Sequence, residues 1–188
     1  MADPDPHGLR LRGAKITGRL DLENLATGIS LELTDCLLEE GIFARNARLA
    51  SLVLAGCLLD HAAEPPLDGA MLVCGALFLV GTRVIGHADS GAVRLAGARI
   101  GGQLGCIGAE LRNDSGPALI ADSLHVDQGT FLRGFTVAGR GGTGAVRLLG
   151  ARVGGQLDCA GATVSNDSGP ACWRCPACSP SCSARMVR

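Results

Sequence analysis

The residues best suited to chemistry lie at the carboxyl end, where Cys172, Cys175, Cys178 and Cys182 form a C-x2-C-x2-C-x3-C run. Thiolates at that spacing can wrap an iron–sulfur cube, but the fourth thiol of such a run serves a second cluster and is followed by proline. Here Ser183 follows, and there is no second run. Zinc asks for less, since four thiolates suffice, although paired thiols in zinc sites usually stand on separate turns with a spacer between them. Zinc or iron–sulfur ligation by these four cysteines is therefore the metal-site expectation, and no other cofactor is expected.

The other motifs have simpler explanations. Gly139, Gly141 and Gly144 spell GxGxxG, but the next residues, AVRLLGARV, have the period of a strand. A dinucleotide fingerprint needs a helix there, because the helix amino end holds the pyrophosphate. Asn113-Asp114-Ser115-Gly116 and its copy Asn166-Asp167-Ser168-Gly169 offer oxygens to calcium, yet the same residues are the common turn formers, and calcium wants six or more oxygens. His7, His61, His87 and His125 share no motif and read as isolated surface or turn residues. Cys36, Cys57, Cys106 and Cys159 fall at inward positions of the repeat described next, where a free thiol acts as a small hydrophobe; Cys74 is less clearly placed. A carbohydrate-active site would want clustered carboxylates and stacking rings, but the chain has no Tyr and a single Trp. No catalytic residue is assigned, and an oxidoreductase role has no supporting site in the repeats.

What positions these residues is an internal repeat. Residues 91–118, GAVRLAGARIGGQLGCIGAELRNDSGPA, align without gaps to 144–171, GAVRLLGARVGGQLDCAGATVSNDSGPA, at an offset of 53. Inside this lies a unit of about eleven residues, an apolar-x-apolar triplet followed by a Gly-Ala-x-apolar step. Inward candidates pair two apart: Leu9 with Leu11, Ala14 with Ile16, Leu20 with Leu22, Leu25 with Thr27, Leu31 with Leu33, and Cys36 with Leu38. They continue as Ile42 with Ala44, Ala47 with Leu49, Leu52 with Leu54, and Cys57 with Leu59. Two-residue spacing is the alternation of an extended strand, whereas a helix would space its buried residues by three and four. Alternate pairs begin with a small residue, as at Ala14, Cys36, Ala98 and Ala162, which suits a corner where the interior narrows beside a glycine of positive φ.

This cadence resembles the pentapeptide-repeat proteins of bacteria, in which a small residue stands two before a central Leu or Phe. Ala14-Lys15-Ile16, Ala47-Arg48-Leu49, Ala98-Arg99-Ile100 and Ala109-Glu110-Leu111 match that small-x-large core over most of residues 9–164. The residue before the central one departs from the family's usual Asp or Asn, and alternate faces carry a sixth residue. The resemblance implies a right-handed parallel β-helix, all-β, here of about 22-residue coils with loop insertions at 60–69, 85–90 and 139–143. It also implies an alternative function, since some members mimic DNA and target gyrase.

Composition limits the function classes. The net charge is −1: residues 1–171 carry 14 basic and 18 acidic groups, and the last 17 residues add Arg174, Arg185 and Arg188 with no acid. Neither a basic stripe with stacking aromatics nor a dense acidic field is evident from composition, so direct nucleic-acid binding is not expected. The start, MADPDPHGLR, lacks the basic-then-apolar order of a signal peptide, and the apolar stretch 70–80 is too short to span a bilayer, so a cytoplasmic protein is expected.

Three segments follow: an N-terminal tail over 1–8, a solenoid domain over 9–171, and a Cys/Arg-rich tail over 172–188. Where the repeat calls for a continuation like LIADSLHVDQGTFL, the chain turns into CWRCPACSPSCSARMVR. Such a bias is what out-of-frame reading of a GC-rich gene produces, so this tail is read as disordered or non-native. The functional expectation is a non-catalytic scaffold or protein-interaction module, with a protein partner or self-association through the solenoid ends. A redox or metal-binding protein using the tail cysteines is the alternative from another class.

Overall fold

A computed structural model describes residues 8–168, 171–173 and 185–187. Every regular element among them is a short β-strand, and all strand pairs are parallel. Successive coils stack in register. Leu9 lies beside Leu31 and Leu31 beside Leu52, steps of 22 and 21 residues. Leu52, Leu77, Leu104, Thr130 and Leu157 then follow one another at steps of 25, 27, 26 and 27. The 22-residue coil expected from the sequence thus holds for the first two steps, and insertions lengthen the later ones.

Each coil turns through four faces. Face I carries Leu9–Arg12, Ser30–Thr34 and Leu104–Gly105; face II carries Lys15–Ile16, Leu58–His61 and Glu110–Asn113. Face III carries Leu20–Asp21, Leu67–Asp68 and Val93–Arg94; face IV carries Arg99–Ile100, His125–Val126 and Arg152–Val153. In the earlier coils, Arg48–Ala55 and Val73–Phe78 run across faces IV and I as single strands. The inward residues Cys74 and Leu77 are three apart there, whereas Ile100 and Leu104 are four apart around Gly101-Gly102. That extra residue cannot be absorbed by an alternating strand, so the ladder divides into two.

The corner entering face II explains the small-residue positions. Gly13, Asp35, Gly56, Gly81, Gly108, Gly134 and Gly161 form one column with φ between 52° and 69°. The residue after each turns inward on a new face, at Ala14, Cys36, Cys57, Thr82, Ala109, Phe135 and Ala162. A second such column, Asn24, Asn46, Met71, Gly97, Ser123 and Gly150, precedes face IV. Left-handed backbone suits glycine and is tolerated by asparagine, so Met71 is the costly member.

The core runs as a continuous apolar stack, and Leu33, Leu38, Leu54 and Leu59 are fully buried. In the later coils four inward columns alternate in size. Leu95, Ala121 and Leu148 succeed one another on face III, and Ala98, Leu124 and Ala151 on face IV. On face II the order is Ala109, Phe135, Ala162, and on face I Cys106, Leu132, Cys159. Large side chains therefore rest on small ones, the packing that fills an interior without voids. This is why the long repeat has a period of 53: it spans two coils, the shortest translation that restores the same layer. Cys74 also finds its place, because its coil reverses the face IV order to Leu72 then Cys74 where the preceding coil has Ala47 then Leu49.

Candidate functional site

The five cysteines of the body, Cys36, Cys57, Cys74, Cys106 and Cys159, are buried and in the thiol form. Burial pushes Cys74 up to about 11 and Cys106 up to about 12, and it also raises Cys57. A reactive cysteine needs the opposite environment, an accessible and stabilised thiolate. Cys57 Sγ instead faces the Leu33 carbonyl of the preceding coil at 3.2 Å, and Cys36 Sγ faces that of Leu11 at 3.7 Å. Thr82, one coil on in the same column, donates to the Leu54 carbonyl at 2.8 Å. These three members of the column thus each present a side-chain donor to a backbone acceptor of the coil beneath.

In the carboxyl-terminal run, the backbone of Cys172 pairs with Val146 on face III, and the strand Arg185–Val187 pairs with Thr163–Asn166 on face II. Cys175, Cys178 and Cys182 lie outside the described residues, as does His7. Among the described residues no group of three or more His, Cys, Asp or Glu is arranged to hold a metal ion.

The longer insertions fall at one corner, between faces II and III, so the loops at 62–66, 87–92, 114–118 and 140–145 stack as a column. Gly141 and Gly144 belong to it, between the strands Thr136–Gly139 and Val146–Arg147, with φ of 109° at Gly144, and Gly139 ends the first of those strands. No helix follows them, as the strand period of the sequence requires. Asn113 organises its loop by donating to the Ala88 and Pro117 carbonyls, both at 2.8 Å, and by accepting from the amides of Ser115 and Gly116. Its oxygen is occupied by the turn, which accounts for NDSGP without calcium. Asn166 repeats the arrangement toward the Gly141 carbonyl at 2.9 Å.

This column also contains a cluster that the sequence did not signal. His87 Nδ1 stands 2.7 Å from Asp114 of the next coil, and its Nε2 stands 3.5 Å from Asp60 of the preceding one. Two carboxylates facing both ring nitrogens favour the doubly protonated imidazole, so the His87 pKa is raised, chiefly by the Asp114 bond. Asp114 is correspondingly lowered, by His87 and then by Ser115. His61 differs, since its Nδ1 accepts from the amides of Ala63 and Glu64.

The outer surface is otherwise a set of ion pairs between coils. Arg10 meets Glu32, Arg12 meets Asp35, Lys15 meets Glu39, Arg19 meets Glu64 and Arg147 meets Asp122. Asp68 is the buried member, held by Arg45 Nε at 2.8 Å and by the Ala70 amide at 3.1 Å, while Arg45 and Arg19 lie over the Phe43 ring. Four described arginines, Arg48, Arg94, Arg99 and Arg152, make no ion pair or side-chain hydrogen bond among the described residues.

No helix among the described residues is long and apolar enough to cross a membrane. The chain defines, by its fold, a parallel β-solenoid of about six turns built on internal repeats. No family model, no characterised protein and no solved structure matches it.

Proposed function

We propose that this chain is a non-catalytic repeat scaffold of the pentapeptide-repeat type, acting in the cytoplasm by presenting its surface and ends to a protein partner or to another copy. The observation that carries this reading is the first coil. Leu9 and Leu11 are 53% and 38% exposed, whereas Leu31 and Leu33, their counterparts one coil on, are buried. Apolar side chains beside strand edges favour addition of a further layer. Four faces per coil, and steps of 22 and 21 residues at the start, support the pentapeptide kinship. The buried thiols of Cys36, Cys57, Cys74 and Cys106 suit a reducing compartment. A DNA-mimic role has less support, because half of the described carboxylates that would imitate phosphates are matched by arginines.

Light scattering over micromolar concentrations tests the proposal. The expected result is concentration-dependent association that Leu11→Glu suppresses without altering the circular dichroism. A strict monomer for both proteins would overturn self-association through this end.

A further inference from the structure

The unpaired arginines are not scattered. Arg48 pairs in register with Val73, Val73 with Arg99, Arg99 with His125 and His125 with Arg152, so one outward column of face IV reads Arg, Val, Arg, His, Arg. Of the four arginines without an acidic partner among the described residues, three stand in this column; Arg94 is on the adjoining face III. The acid at its flank is Asp127, 3.1 Å from His125. Most other described arginines are matched by acids, whereas here three arginines stand on alternate strands of one column, about 9.6 Å apart, with Val73 and His125 between them.

A second, independent feature adjoins the column. Met71 has φ of 59° at a corner position that Asn, Gly or Ser fills in the other coils, and its side chain is 57% exposed. Its sulfur lies over Gly97, where an added Cβ would come within 2.4 Å of it. Met71 and Val73 thus place apolar side chains on the coil between those of Arg48 and Arg99. Strain and exposure retained together at one residue mark a surface put to use, and methionine adapts well to a bound side chain.

We infer that this column is the docking stripe for an acidic extended segment of a protein partner, with carboxylates on Arg48, Arg99 and Arg152 and an apolar residue against Met71 and Val73. The inference rests on the interaction-module reading above and names its surface and the chemistry of its partner. Arg forks pair with carboxylates bidentately. Five coils at about 4.8 Å give a column of about 19 Å, the length of roughly six extended residues. The column contains no Phe, Tyr or Trp on which bases would stack, which disfavours a single-stranded nucleic acid.

The test is fluorescence anisotropy with a short synthetic peptide in which glutamates alternate with threonines around a central leucine. The same peptide with lysines for glutamates, a single-stranded DNA oligonucleotide and anionic phospholipid vesicles serve as comparisons. The stripe requires salt-sensitive binding of the acidic peptide and none of the basic one. It also requires an affinity loss of about tenfold or more in Arg99→Glu/Arg152→Glu, which is two broken charged pairs at roughly 1 kcal/mol each. Met71→Asn should weaken binding severalfold, and Arg10→Gln/Arg12→Gln should leave it unchanged. No binding, binding indifferent to the face IV reversal, or tighter binding of the oligonucleotide or vesicles through these arginines would each overturn the inference. Running the series in the Leu11→Glu background separates it from end association: light scattering reports on the ends, anisotropy on the stripe.

Discussion

Thr130 is the place where this core departs from its own rule. It points inward on face I between Leu104 and Leu157, is 4% exposed, and its hydroxyl has no hydrogen-bond partner. An unpaired buried hydroxyl costs about 1–3 kcal/mol, and the methyl that replaces it in Thr130→Val adds apolar burial of about 0.8 kcal/mol. The β-branched shape is unchanged, so Thr130→Val is expected to stabilise by about 1–3 kcal/mol. For a chain of this length that is a rise in melting temperature of roughly 2–10 °C. Thr130→Leu should gain less or lose, because this coil already places the larger Leu132 over the small Cys106, and overpacking costs about 1–3 kcal/mol. Thr130→Ser keeps the unpaired hydroxyl and loses the methyl, so it should destabilise. Thermal melts by circular dichroism, with hydrogen exchange at Thr130 and Phe131, read the series. If Thr130→Val melts at or below the parent, the hydroxyl has a partner and the reasoning is wrong.

The remaining predictions concern the rest of the stack. Leu33→Asp should unfold the protein, since it places an unpaired charge in a fully buried site, while Glu32→Gln, next to it but outward beside Arg10, should change stability by less than about 1 kcal/mol in urea melts. Met71→Asn should raise stability by about 1 kcal/mol or less, because asparagine accepts the left-handed backbone that methionine resists; a drop in the melting temperature would show that the Met71 contact outweighs its strain. The raised pKa of His87 means that its bridge to Asp60 and Asp114 stabilises fully below the ordinary histidine value of about 6.5 and is lost as pH rises through the folded value. Amides of 87–92 and 114–118 should therefore open more readily above that range, and His87→Gln should remove the pH dependence. Cys74 and Cys106, both pushed far above neutral pH by burial, should resist alkylation in the native protein and react in denaturant, as peptide mass mapping would show.

The strand alternation and the stacking of small repeats were legible in the sequence because both are local. A strand turns one side chain in and the next out, so Leu31 with Leu33 and Cys57 with Leu59 declare an inward side within three residues. The assignment of NDSGP and of the GxGxxG glycines to turns was legible for the same reason, since turn chemistry is written in adjacent residues. What the sequence left open depends on registers 21 to 27 residues long, whose values are set by how much chain each corner absorbs. Only the closed stack shows that the longer insertions share one corner, which brings His87 between Asp60 and Asp114. It also shows that Arg48, Val73, Arg99, His125 and Arg152 share one column, although each is a single outward residue in its own coil. The 53-residue offset links Arg99 to Arg152 on the page, but the coil between them has the opposite pattern of large and small residues. Its place was decided by packing: a layer of small side chains must lie against a layer of large ones, and that relation exists only between neighbours in space.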